Sequence, residues 1–359
     1  MPVPRTADEI TPEWLTVALR EGGHLGSGAV KSVSFVQIGQ GLGFASSISR
    51  GIVEYEGDAD RAPASLVVKM PSADESVRTA VNRVGLFQLE ARVYTEIGRD
   101  LGVAVPELLF ARADATAGEY ILVLEDLSDA RLGDQVAGCT VEEARAVIEN
   151  LARLHARWWD SDRLRAARWL PGPANAAWLR ATGRTYRDGW RRVSDQVGPR
   201  MPAGIREIAE SFGPRLEQTL QPLGEQPATF IHGDCRLGNL FFRADEVVLI
   251  DFQLAAFSRG AVDLAYFIQW SFPVERRRQY EKELLRAYYD ALRREGVDGY
   301  TYDTLVEDYR RGMFQNLTTA IVAIANLDFG SEIGQATVDI LLRGLTGLVD
   351  WDCAELIPE

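Results

Sequence analysis

A short strand-like island at residues 228–252 interrupts a region that otherwise reads as helix. It runs FIHGDCRLGNLFF, Phe230 to Phe242, and continues into VVLIDFQLAAF, where Asp251 follows the apolar run Val247 to Ile250. Apolar runs this short suit buried strands and fall short of a helix. Polar side chains packed between them, His232, Asp234 and Asn239, are costly to bury without partners. The island therefore demands a fold in which a loop and a strand end gather these groups at one place.

The flanking regions differ in character. Before it, AVKSVSFVQIG and SSISRGIVEYEG are β-branched runs bounded by glycine and predict a hairpin. ASLVVKM predicts a further strand, and ELLFARAD and EYILVLEDL predict two more with a turn at Ala117 and Gly118. One helix is expected over Ser76–Ile97. After Leu127 helices dominate. The first opens on a capping box, Thr140 with Glu143, and its apolar face includes Val147, Leu151, His155 and Trp158. Others are expected near 175–193, 203–220, 261–296, 302–327 and 332–349. This is an α+β chain in two parts, a small antiparallel-sheet part at 1–126 and a larger, mostly helical part at 127–359.

Bulk properties narrow the function. A formal net charge of -13 argues against nucleic acid as a partner, because binding it requires neutralising phosphates. No apolar stretch reaches the length of a bilayer span, and the opening residues lack a basic region followed by an apolar core, so neither membrane insertion nor a signal peptide is expected. Cys139, Cys235 and Cys353 are scattered, which suits a reducing cytoplasm and makes no disulfide framework or zinc site. The run RRRQYEKELLRAYYDALRRE reads as an exposed charged helix face.

Asp234 and Asn239 on a loop, with Asp251 at the next strand end, are suited to phosphoryl transfer. That reaction uses a carboxylate to take a hydroxyl proton, and an Asn and an Asp oxygen to hold magnesium. Each residue also has an ordinary reading: Asp251 as a turn former, Asn239 as a turn residue, Asp234 as a cap. Three histidines, His24, His155 and His232, leave little material for a metal-dependent hydrolase. His155 lies on an apolar helix face and reads as a core histidine. Trp158, Trp159, Trp169, Trp178 and Trp190 read as packing, with an acceptor pocket or a cage for a quaternary ammonium as the functional alternative.

HGDCRLGN followed by IDFQ resembles the catalytic and metal-binding motifs of aminoglycoside phosphotransferases and choline-kinase-like enzymes. The DFQ form with GAVDLAYF is most similar to the ecdysteroid kinase-like branch, over roughly residues 30–290. The resemblance implies a bilobal protein-kinase-like fold with a nucleotide-binding N-terminal lobe and a C-terminal lobe for catalysis and the acceptor. It implies Asp234 as the catalytic aspartate, Asn239 and Asp251 as magnesium ligands, His232 as a structural loop residue and Asp263 as a buried brace. Cys235 and Arg236 depart from the Leu and His that relatives carry. Arg236 sits where protein kinases place a phosphate-contacting lysine, with solvent exposure as the alternative.

The same resemblance places the nucleotide on the N-terminal part. Gly39, Gly41 and Gly43 form a glycine-rich turn able to approach phosphates. Lys69, ending the strand SLVVK, matches the lysine that pairs phosphates. Glu90 is its expected partner, with Glu75 and Glu96 as alternatives. Glu125 C=O and Leu127 N–H in VLEDL correspond to the adenine-contacting connection. The expected function is an ATP- or GTP-dependent, magnesium-dependent kinase of a small-molecule hydroxyl, with a nucleotide-binding regulatory pseudokinase as the alternative.

Overall fold

The computed structural model describes residues 2–39, 46–114, 116, 119–244, 246–327 and 331–359, less the side chains of residues 76, 80 and 333. Gly41, Gly43 and the turn at Ala117 and Gly118 lie outside the described residues. The chain divides into two compact units. The first holds Met1–Asp100, Ala104–Arg131 and Phe241–Leu254; the second holds Leu101–Val103, Leu132–Leu240 and Ala255–Glu359. A cut at 126–127 falls a few residues ahead of the passage at Arg131–Leu132. It also assigns the returning segment 241–254 to the other side.

The first unit starts with a helix that the sequence pattern did not indicate, α1 (Pro12–Glu21), capped by the Thr11 side chain on the Trp14 N–H. A five-stranded sheet follows: β1 (Ala29–Ile38), β2 (Ser46–Glu56), β3 (Ser65–Pro71), β4 (Leu108–Asp114) and β5 (Glu119–Glu125). Its order is β1-β2-β3-β5-β4, with every pairing antiparallel. Alternation along the strands sets the two faces. Leu66, Val68 and Met70 of β3 join Ile121 and Val123 of β5 in a core with Trp14, Leu15 and Leu19 of α1. Burying side chains of this kind contributes about 1.5–3 kcal/mol each. Lys69 must then project to the opposite face, together with Tyr120 and Leu122.

The helix expected over 76–97 is instead broken. It comprises α2 (Glu75–Arg83), α3 (Leu86–Arg92) and a π-helical turn, Val93–Ile97. Gly85, at φ 75°, causes the break, since only glycine adopts that left-handed conformation at no steric cost.

The second unit is helical: α4 (Val141–Arg157), α5 (Asp162–Ala166), α6 (Ala176–Val197), α7 (Ile205–Leu220), α8 (Ala261–Ser271), α9 (Val274–Arg294), α10 (Tyr302–Ile324) and α11 (Glu332–Asp350). The capping box at α4 is present in both directions, with Thr140 and Glu143 bonded to each other's backbone N–H. Every residue of α8 is buried, as expected of a helix packed on all sides. Phe272 and Pro273 follow it, with Pro273 at the N-cap of α9, and the single helix expected over 261–296 becomes α8 and α9. A proline ring cannot continue the hydrogen-bond ladder.

The charged run at the start of α9 is only partly an exposed face. Arg277 is 1% exposed and Glu281 3%. They pair with each other at 2.5 Å, and Arg277 also meets Asp350. Tyr309 adds its O–H to Glu281 at 2.6 Å. A reading from charge alone cannot see such pairing, which is what permits a buried charge.

Candidate active site

The candidate residues form two clusters, one on each unit. On the first unit, the Lys69 Nζ lies 2.8 Å from Glu90 Oε1 and 3.1 Å from Asp251 Oδ1. Lys69 and Glu90 are buried, whereas the Asp251 side chain keeps 29% exposure. Tyr120 donates its O–H to Glu90 Oε2 at 2.7 Å and stacks on Phe87 at 4.7 Å between ring centroids. Two residues, Lys69 and Tyr120, therefore hold the Glu90 carboxylate. The rival glutamates are elsewhere: Glu96 pairs with Arg92, and Glu75 opens α2.

Two carboxylates share one ammonium in this trio, which leaves one negative charge in excess when both are ionised. Burial on its own lowers the Lys69 pKa, but the charges of Asp251 and Glu90 outweigh it and hold the ammonium above its ordinary value. Burial pushes Glu90 upward. Lys69 opposes that shift, and the nearby Asp251 charge adds to it. A cation bound at the exposed side of Asp251 would relieve this imbalance.

Asp251 stands just beyond the strand Glu246–Leu249 with φ 67°. This left-handed backbone turns the chain so that the carboxylate reaches Lys69. Aspartate tolerates the conformation better than most residues but still carries strain in it. Other predicted nucleotide residues on this unit are placed as follows. Gly39 is exposed with φ 68°. The Glu125 N–H donates to Glu107 O at 2.9 Å, and its carboxylate accepts from Arg243 at 2.9 Å. Leu127 is buried and accepts from the Ala130 N–H at 3.0 Å.

On the second unit, strand Thr229–Ile231 pairs antiparallel with Ala256–Ser258 and delivers the chain into the loop 232–239. Asp263, fully buried on α8, accepts the His232 N–H at 2.6 Å and the Gly233 N–H at 2.8 Å. Gly233 takes φ 80°. His155 Nε2 also meets Asp263 at 3.2 Å, while His155 Nδ1 meets the Tyr288 O–H at 2.7 Å. A carboxylate needs a donor, so the proton belongs on Nε2, and the tyrosine donates to Nδ1. The core reading of His155 and the bracing reading of Asp263 describe one connected network.

Two further side chains, Tyr266 and Asn239, hold Asp234. Tyr266 donates to Asp234 Oδ1 at 2.5 Å, and Asn239 Nδ2 donates to Asp234 Oδ2 at 2.8 Å and to its backbone O at 2.9 Å. Arg236 Nε reaches Oδ2 only at 3.4 Å, with 28% of its side chain exposed. Burial, then the Asp234 charge, drives the Tyr266 phenol well above its usual pKa, so it remains an O–H donor. Because Asn239 spends its amide N–H groups on Asp234, its Oδ1 is the atom left to act as a ligand. Carboxylate and amide oxygens suit magnesium, which needs few protein ligands because substrate phosphates and water supply the rest. Among the described residues no cluster of three or more His, Cys, Asp or Glu could hold a metal.

Sequence reasoning missed Tyr266 and Tyr120. A signal for the first was available: it lies three residues after Asp263, on the same helix face. Tyr120 could have been found by strand alternation beside Lys69. Of the tryptophans, Trp158 is buried with the Arg163 guanidinium 5.3 Å from its ring centroid, and Trp159 lies edge-on to Tyr300 at 5.0 Å. Both make packing contacts.

Comparison with known proteins places this geometry in context. The model of the ecdysteroid kinase-like family matches residues 40–158 and 176–296, more than half of the chain. No curated protein sequence matches. A Ralstonia eutropha protein provisionally named an aminoglycoside phosphotransferase is 17% identical with a TM-score of 0.56, over 96% of this chain and 98% of its own. An amicoumacin kinase, solved with AMP-PNP and Ca2+, is 13% identical with a TM-score of 0.55, over 92% of each chain. A choline kinase from Cryptosporidium parvum is 13% identical with a TM-score of 0.55, over 89% of this chain and 91% of its own. The chain therefore has the kinase-like fold, with an antiparallel sheet in its N-terminal part and a mostly helical remainder.

Proposed function

The chain belongs to the ecdysteroid kinase-like family, and from that premise we propose that it is an ATP- and magnesium-dependent O-phosphotransferase acting on a hydroxyl group of a small molecule. The observation that carries this reading is the Lys69 ammonium shared between Glu90 at 2.8 Å and Asp251 at 3.1 Å. A buried lysine fixed from two sides is a rigid cation for phosphate, and one of its two anchors is itself a metal-type carboxylate. GTP is the alternative donor.

Each residue has a part. Lys69 pairs with the donor's phosphates, and Glu90 and Tyr120 fix its reach. Glu125 C=O and Leu127 N–H take the adenine edge. Asp251 and Asn239 Oδ1 would hold magnesium, which when bound would neutralise charge building on the transferred phosphoryl group. Asp234, held by Tyr266 and Asn239, orients the acceptor hydroxyl and takes its proton. As the acceptor oxygen bonds to the γ-phosphorus, the bond to the bridging oxygen breaks and ADP leaves. Arg236 adds positive charge beside the transferring group. Residues 1–126 with the returning segment make the nucleotide lobe, and the remainder provides catalysis and the acceptor pocket.

Three free, buried cysteines agree with a cytoplasmic setting. Among the described residues no helix is long and apolar enough to cross a membrane. Calorimetric titration with ATP and GTP, each with and without magnesium, tests the donor half of the reading. The expected result is saturable binding that magnesium strengthens, with that gain lost in Asp251→Ala. Failure of the wild-type protein to bind either nucleotide would refute it.

A further inference from the structure

The glutamine of the DFQ motif has a structural partner of its own. Gln253 is 7% exposed, and its Nε2 donates to the Ser46 Oγ at 3.1 Å. Ser46 is the first residue of β2 and lies opposite Pro71 of β3. Two residues on, Ile48 lies opposite Lys69. The glutamine amide thus ties the Asp251 segment to the strand that pairs alongside the lysine Asp251 must reach.

Asp251 needs such a tether. Its backbone is left-handed at φ 67°, a conformation that persists in a non-glycine residue only where its surroundings over-determine it. Upstream, Leu249 donates its N–H to Ala104 O at 3.0 Å. Downstream, Phe252 is fully buried and sits edge-on to Tyr94 at 5.6 Å. Gln253 comes next, and Leu254 after it is 41% exposed. The amide is therefore the last fixed point before the chain leaves this unit.

We infer that Gln253 is a positioning residue that sets the reach of Asp251 toward Lys69 and magnesium by anchoring to Ser46. The inference rests on the phosphotransferase reading and extends it. Gln253 acts through Asp251. Its effect should therefore fall on the magnesium-dependent part of nucleotide affinity and spare the part that Lys69 and the adenine contacts supply.

The test is calorimetric titration of ADP, in magnesium and in a chelator, for wild type, Ser46→Ala, Ser46→Thr, Gln253→Ala and the double alanine variant. A lost neutral hydrogen bond corresponds to about a fivefold effect. The magnesium-dependent gain should fall about fivefold in each single alanine variant, with affinity in chelator unchanged. Ser46→Thr keeps the hydroxyl and should retain the gain. The double variant should match the singles, as residues acting through one bond are not additive. An undiminished gain in Ser46→Ala, an equal loss with and without magnesium, or additive losses would overturn the inference. If Gln253→Ala does not fold, Ser46→Ala with its threonine control decides alone. Loss of the gain in Asp251→Ala but not in Ser46→Ala would leave the phosphotransferase reading standing and remove only this inference. No magnesium-dependent binding by the wild type would remove both.

Discussion

Changing Asp234 to asparagine should lower kcat for phosphoryl transfer by about 10²- to 10⁴-fold, the usual weight of a positioned general base. Nucleotide affinity and thermal midpoint should stay close to those of the wild type. The substitution keeps the side chain's size and one acceptor oxygen. That oxygen can take the Asn239 amide, now received by Asp234 Oδ2 at 2.8 Å. The new amide group then faces Tyr266, whose hydroxyl can rotate from donating to accepting. The fold is thus preserved while the group that takes the proton is removed. Steady-state ADP release with an identified acceptor, alongside a nucleotide titration, checks both halves. A large loss of nucleotide affinity would mean that Asp234 serves the donor site instead.

Asp263→Ala should have its largest effect on stability, about 3–5 kcal/mol, the range seen when one partner of a buried charged network is removed. The carboxylate is fully buried and receives the His232 N–H, the Gly233 N–H and His155 Nε2. Alanine leaves these three donors unsatisfied where water cannot easily replace it. The surroundings are also tightly fitted. A Cβ at Gly260 would lie 2.6 Å from the Tyr288 hydroxyl oxygen and 2.7 Å from His155 Nδ1, so the chain uses glycine there. Urea unfolding should show the midpoint falling with little change in slope. A loss under about 1 kcal/mol would show that the loop is not braced by this residue.

Much of the candidate site was legible because its residues follow strong local patterns. Strand alternation puts Lys69 opposite the α1-facing core, and the helical segment that follows, through α3, brings Glu90 to it. The polar residues between two apolar runs marked the loop at 232–239. Residues whose roles depend on non-local partners were less visible. Tyr120 and Gln253 acquire meaning only once β5 and β2 are placed beside β3. The return of 241–254 to the first unit is a tertiary fact with no compositional mark. Local breaks were lost for another reason: apolar periodicity runs straight through Gly85 and Phe272–Pro273, although glycine at positive φ and proline end the helices there. Arg277 and Glu281 were lost to a charge pattern that says nothing about pairing in the interior.

The most direct measurement is mass-spectrometric detection of a phosphorylated product alongside ADP, across a panel of small hydroxyl compounds with ATP and magnesium. A phosphoester formed in equal amount with ADP, and abolished by omitting magnesium or by Asp234→Asn, is the predicted result. Tight nucleotide binding with no phosphoester from any compound would instead describe a regulatory pseudokinase. Transfer at the wild-type rate by Asp251→Ala would contradict the assigned metal site.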